Sequence, residues 1–337
     1  MISRRHLRIK VMQALFAYFL CEDKDLKHTE KELIKSVEKL YDSYLLIFML
    51  LVELADLSRI RAEDKVEKHI KVFMAPEVNT RFLNNFVIQT IINDELFLEL
   101  VKKRKLTWQP EHENIQSLFS EVKESKFYIS YCRRTNGTPE EDTQFILTIL
   151  KEILYPSELF QSLMEEKCFY WEDDNKLVQT ITNRTIKTIK KDSETISLQP
   201  LYKEDDDKEF MMELLRKTII NDKEFEKKIS NTSKNWDIER IALMDIILMK
   251  MSLAEMLYFN DIPEKVTINE ILEISKEYST KGSNNFINGI IDQMRIDYTE
   301  AGKIVKSGKG LIVFDKTPDF MPAYNKKNKY KKQKAYK

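Results

Sequence analysis

The chain has 337 residues, enough for two domains or for one core carrying a large insertion. Lys and Arg together number 55, as do Asp and Glu, so no overall field draws in a polyanion and any nucleic-acid contact must come from local patches. A third of the residues are charged and Gly (6) and Pro (8) are scarce, which argues against turn-rich β architectures and for an all-α protein.

The first predicted element is a helix over residues 3–20. Arg5, Arg8, Met12 and Phe16 follow one another at three-or-four spacing and so fall on one stripe, basic at one end and aromatic at the other. Such a stripe suits RNA, and equally a solvated helix start running into a core. A secretory signal is disfavoured: Phe19 and Leu20 stand where a cleavage site wants small residues, and Glu22-Asp23-Lys24-Asp25 follows as a polar loop. Residues 29–74 read as one or two long helices ending near Pro76. Their apolar block Tyr44–Val52 is far short of the roughly 20 residues that span a bilayer, so it predicts a buried core helix and no membrane association.

From residue 82 a recurrence appears. Phe82 and Trp108, Phe145 and Trp171, and Phe210 and Trp236 share one separation, and Phe97, Phe160 and Phe225 precede the tryptophans by another. This spacing predicts a repeated helix-turn-helix unit. Thr138-Pro139-Glu140-Glu141 has the cap, the N1 proline and the acidic first turn of a helix start. Lys203–Asp207 is an acidic linker or the first turn of the helix containing Phe210. The near-continuous apolar run Met244–Met251 predicts a central helix, in which Asp245 should be paired, with Arg240 and Lys250 as candidates.

Pro263 opens a further helix, with Ile268, Ile271, Leu272, Ser275 and Tyr278 at buried-stripe spacing. After Gly282, Ser283 stands as a predicted N-cap for a last helix carrying Phe286, Ile287, Ile290, Ile291 and Met294. Gly289 costs that helix roughly 1 kcal/mol against alanine, which close approach of a helix or ligand would justify. Leu311–Phe314 is a short candidate strand, and residues 325–337 are lysine with interspersed tyrosine, a tail suited to a polyanion or to solubility alone. Cys21, Cys132 and Cys168 have no paired spacing and read as buried, reduced thiols of a cytoplasmic protein. His6, His28, His69 and His112 are scattered, and no phosphate loop or metal-ligand cluster occurs, so no enzyme, cofactor or metal is expected.

Two stretches carry a family resemblance. Pro263-x-Lys265-Val266-x-Ile268-Asn269-Glu270, then Ser283-x-x-Phe286-x-Asn288-Gly289 and Asp292, resembles the C-terminal signature of the NusB family of bacterial antitermination factors. Arg4-Arg5-x-x-Arg8 leading to Gln13-Ala14-Leu15-Phe16 is similar to the family's arginine-rich first helix, and Phe210–Leu253 to the helices before the signature. The resemblance implies a NusB-like helical bundle built from residues 1–20 and 207–298, a helical insertion at 21–206 and a lysine-rich tail at 299–337. It further implies binding to boxA-like RNA of ribosomal RNA transcripts together with NusE, and through them to the RNA polymerase elongation complex. The candidate RNA-binding residues are then Arg4, Arg5 and Arg8 as forked donors, Phe16 and Phe286 as stacking rings, Asn285 and Asn288 toward base edges, and Ser283 at the helix start. Core packing is the alternative for Phe286. The chain departs from the family pattern at Gly282 and Asn285, where an acidic and a basic residue are common. A helical protein-binding scaffold without RNA specificity is the rival reading.

Overall fold

The computed structural model describes residues 2–69, 81–134, 137–190, 193–233 and 241–311, the side chains of 59–69 excepted. Among the described residues there are 14 α-helices and no strand, the single β-bridge joining Ile2 to Tyr202. The protein is all-α, as its composition predicts. It divides into two compact units, Met1–Ala14 with Asp23–Met211 and Leu15–Glu22 with Met212–Lys337. Helix α1 (Arg4–Leu20) and helix α10 (Asp207–Ile220) each contribute to both.

The first unit is built on α2 (Leu26–His69), whose 44 residues make a rod of about 66 Å. Its middle is the apolar block of the sequence: Tyr44, Leu45, Ile47, Phe48, Leu50 and Leu51 are all fully buried. Helices α3 (Phe86–Ile92), α5 (His112–Glu124) and α9 (Trp171–Thr188) pack on this rod. Helix α7 (Pro139–Ile149) lies against α3, α6 (Lys126–Cys132) and α9, and runs on as a π-helical turn at Leu150–Leu154. Thr138 and Glu141 form a full capping box at its start, at the helix start that the Thr-Pro-Glu-Glu run predicts.

The Phe–Trp recurrence has a structural counterpart in α4 (Glu95–Arg104) and α8 (Glu158–Lys167), two ten-residue helices. Each is capped by a side chain, Asp94 or Ser157, that accepts from the backbone N–H of the buried Phe97 or Phe160. In both, a buried tryptophan follows four residues after the helix ends. The indole partners differ: Trp108 donates to the Leu46 carbonyl on α2 at 2.9 Å, and Trp171 to Gln161 on α8 at 2.6 Å. In the third copy Phe225 is buried near the start of α11 (Asp222–Thr232), while Trp236 lies outside the described residues, as do Arg240, Pro76 and 325–337.

The second unit is a bundle in which α12 (Leu243–Tyr258), α13 (Glu264–Tyr278) and α14 (Ser283–Glu300) pack mutually and α11 lies against α12 and α14. Ile247, Leu248, Met249, Met251, Leu253, Ala254 and Met256 are all buried, so α12 is the central helix. The buried Asp245 accepts from the Ser279 hydroxyl, and Lys250 is used elsewhere, by Asp222 and Glu226. A carboxylate in an apolar run needs a donor, and a hydroxyl at the end of α13 supplies it as well as a cation would. After α14 the chain returns to the end of α12. The Ser307 N–H donates to the Asn260 carbonyl, Lys306 to those of Met256 and Phe259, and Gly310 lies so close to Asn260 that a Cβ would meet its oxygen at 2.0 Å.

Four local expectations are corrected. Leu311 ends a 3-10 turn, Gly308–Leu311, and is not the start of a strand; residues 312–314 lie outside the described ones. Of the three thiols only Cys168 is buried; Cys21 is exposed, because it follows the last residue of α1. Among the described residues nothing lies within 4 Å of a Cβ placed at Gly289, so no neighbouring helix among them explains it. Ser283 is the first residue of α14, and Gly282 is the cap, in the left-handed region at φ +105° that favours glycine. Among the described residues no helix is long and apolar enough to cross a membrane, and no cluster of His, Cys, Asp or Glu could hold a metal ion.

Candidate nucleic-acid interface

In the first unit the three arginines of α1 separate by depth. Arg5 is exposed. Arg4 is partly covered: its Nε donates to Asp207 at 3.0 Å and its Nη2 to Asp206 at 2.8 Å. Burial works against that charge, but the hydrogen bonds to Asp207 and then Asp206 outweigh it and hold Arg4 above its ordinary pKa. Arg8 is only 2% exposed, and both it and Arg4 lie about 5 Å from the ring centre of Phe210. Arg8 is thus no solvated helix-start residue. Its packing partner is some two hundred positions away, beyond the reach of spacing arguments.

Asp207 organises this corner. Its carboxylate takes Arg4 on one oxygen and the N–H groups of Lys203 and Glu204 on the other, both at 3.1 Å, so the acidic run is a turn leading into α10, of which only Asp207 is part. Six residues after Arg4 on α1, Lys10 reaches Asp174 on α9 at 2.7 Å, with both side chains buried. Burial pushes the Asp174 carboxyl up to about 6, although Lys10 opposes the shift. Neither residue is a sequence-predicted site residue. The signal for them was present: Lys10 sits on the apolar arc of Leu7, Val11 and Ala14, and Asp174 on that of Val178 and Ile181, where a charge requires a partner.

In the second unit the start of α14 is fixed by side chains. The Ser283 N–H donates to the Thr280 carbonyl at 3.0 Å and the two hydroxyls meet at 2.7 Å. Asn284, which motif reading passes over, donates to the Leu272 carbonyl at 2.9 Å and to the Ser275 hydroxyl at 3.3 Å. These bonds join the first turn of α14 to the body of α13. They leave the outer stripe of α14 as Asn285, Asn288, Gly289 and Asp292, spaced three or four apart. Asn285 and Gly289 are exposed and Asn288 is half-buried, while Asp292 accepts from Arg295 at 2.8 Å. The inner stripe, Ile287, Ile291, Met294 and Tyr298, is core. Phe286 is half-buried between the two, and Phe16, in the same unit, is 36% exposed. Arg4, Arg5 and Arg8 therefore belong to one unit, and Phe16, Ser283, Asn285, Phe286 and Asn288 to the other.

The described residues thus form an all-helical protein with an arginine-bearing first helix and an exposed stripe of amides and glycine on its last. The NusB family model matches residues 173–295, from the first turn of α9 to near the end of α14, and so begins upstream of residue 207. The chain is 38% identical over 116 residues to the transcription antitermination protein NusB of Salinibacter ruber, covering 72% of that protein and 34% of this one. It is 40% identical over 105 residues to that of Chloroherpeton thalassium (50% of that protein, 31% of this one), and 38% over 93 residues to that of Geobacter sulfurreducens (67% and 28%). No solved structure matches. The chain belongs to the NusB family. It spans half the length of the Chloroherpeton relative, and the three alignments each take in about a third of it or less.

Proposed function

We propose that this protein is a non-catalytic transcription antitermination factor that binds boxA-like single-stranded RNA of ribosomal RNA transcripts in the cytoplasm. It would do so together with NusE and so join the RNA polymerase elongation complex. The observation that carries this reading is the outer stripe of α14. Asn285, Asn288, Gly289 and Asp292 are residues that core packing does not require, and their exposure follows from the bonds that Asn284 and Ser283 make on the inner side. A glycine there costs the helix stability for no internal contact, which a close-lying ligand backbone would repay.

The roles follow from depth. Asn285 and Asn288 offer amide pairs to base edges, and Phe286 and Phe16 offer partly exposed rings for stacking. Arg5 supplies an exposed cation for a phosphate, with Arg4 beside it already bound to Asp206 and Asp207. Arg8 acts from beneath by holding Phe210 and the helix start. The test is a titration of the full chain with boxA-like RNA, with and without NusE. Salt-dependent binding that tightens when NusE is added is expected. No binding of any RNA at low salt would leave a protein-binding helical scaffold instead.

A further inference from the structure

Helix α6, within the insertion, presents a face that the reading above does not use. Its sequence with the two residues after it is Lys-Phe-Tyr-Ile-Ser-Tyr-Cys-Arg-Arg, with three cations and no acid. Tyr128 and Tyr131 point inward. Tyr131 stacks on Phe145 at 3.6 Å and donates to Asp142 at 2.7 Å, and Tyr128 packs edge-on against Phe82 and Phe119. These anchors fix the orientation of the helix and leave the opposite face outward. There Lys126, Ile129, Ser130, Arg133 and Arg134 line an open hollow of about 440 Å³. Phe127, next to Lys126 in sequence, is 50% exposed, and Ile129 is 41% exposed.

Charge pairing leaves part of this face uncompensated. Arg134 is bound to Glu141 at 3.0 Å, but among the described residues neither Lys126 nor Arg133 has an ion-pair partner. The acid next in sequence, Glu124, closes α5. Two uncompensated cations, a hydroxyl and an exposed ring on one short helix and the residue after it match a chain that alternates phosphates and flat bases. A run of acidic residues alone would use the cations and leave the ring without a partner.

We propose that the outer face of α6 is a second, sequence-independent binding site for single-stranded RNA, with Lys126 and Arg133 neutralising phosphates and Phe127 stacking on a base. The site deepens the RNA-binding reading of the protein, and it rests on that reading only for the class of ligand. It gives the insertion a role, that of holding transcript outside the specifically read element.

The experiment uses the full chain, poly-uridylate as a probe without the boxA sequence, and a short boxA-like RNA as a second probe. For Lys126→Gln/Arg133→Gln, poly-uridylate affinity should fall and the slope of log affinity against log salt should drop by roughly 1.4, about 0.7 for each phosphate no longer neutralised. Phe127→Ala should weaken poly-uridylate binding roughly fivefold or more with the slope unchanged. Affinity for the short boxA-like RNA should be the same in all of them, and Lys102→Gln/Lys103→Gln, which strips two exposed cations from α4, should behave as the unmodified protein. All these side chains are exposed, and circular dichroism should show the fold intact. Poly-uridylate affinity unchanged by the α6 substitutions would overturn the proposal, as would an equal loss in the α4 control. Binding of poly-glutamate with the same dependence on Phe127 would assign the face to an acidic protein segment and overturn it too. The two RNAs separate the readings: loss of boxA binding alone rejects the core assignment, and indifference of poly-uridylate alone rejects the α6 site.

Discussion

The two units each bury a lysine, and they do so in opposite ways. In the first, Lys10 and Asp174 are both cut off from water, and desolvation drives the carboxyl up to about 6. In the second, Lys250 is equally buried, yet its two acids, Asp222 and Glu226, keep 27% and 53% of their side-chain surface exposed, and the ring of Phe19 lies 5.0 Å away. A buried cation with water-facing acids leaves little uncompensated charge when it is removed, whereas a sealed pair has no fallback. The first arrangement ties the position of α1 to α9 more stringently than the second ties α11 to α12.

The comparison can be broken by deletion. Lys10→Met should cost about 3–5 kcal/mol in urea unfolding at neutral pH, because it strands the Asp174 carboxylate; the loss should shrink in acid as that carboxyl takes a proton. The double variant Lys10→Met/Asp174→Leu should recover most of the loss. It also serves as a reference for pH. Asp174 has a folded pKa above its ordinary 3.8, so its favourable contribution is full below that value and is lost as pH rises through about 6. Stability of the natural protein relative to the double variant should therefore fall by on the order of 2 kcal/mol between those limits. Lys250→Met should cost less than Lys10→Met, roughly 1–2 kcal/mol, since Asp222 and Glu226 remain solvated. Equal costs for the two lysines would contradict the contrast. Smallest of all, Arg5→Ala should move stability by no more than about 0.5 kcal/mol, the usual range for an exposed side chain.

Much of the fold is legible in the sequence where local rules act. The apolar block of α2, the capping box at Thr138, the central character of α12 and the inner stripe of α14 all follow from periodicity and cap chemistry. The recurrence of Phe and Trp predicts a repeated helix-turn-helix unit, and its first two copies contain α4 and α8, whose caps match although no motif announces them. Partners far along the chain were not legible. Nothing near Arg8 announces Phe210, and nothing near Asp245 announces Ser279, because any donor satisfies a buried carboxylate. At the candidate site the motif residue Asn288 and the departure at Asn285 stood out, while Asn284, which holds the turn in place, did not: its role depends on a carbonyl of the preceding helix that no motif encodes. The sequence also could not grade Arg4, Arg5 and Arg8, since a helical stripe records direction but not depth.

That grading makes the RNA reading testable in a single salt series. The affinity of boxA-like RNA, with NusE present, is measured across salt for the unmodified chain, Arg5→Ala and Phe286→Ala, with thermal stability followed in parallel. Arg5→Ala should lower the slope of log affinity against log salt by roughly 0.7, as one phosphate contact would. Phe286→Ala should lose roughly 1–3 kcal/mol of affinity with the slope unchanged and little change in melting temperature. Affinity unchanged in both variants, with only the melting temperature of Phe286→Ala reduced, would make the ring a core residue and contradict the RNA reading.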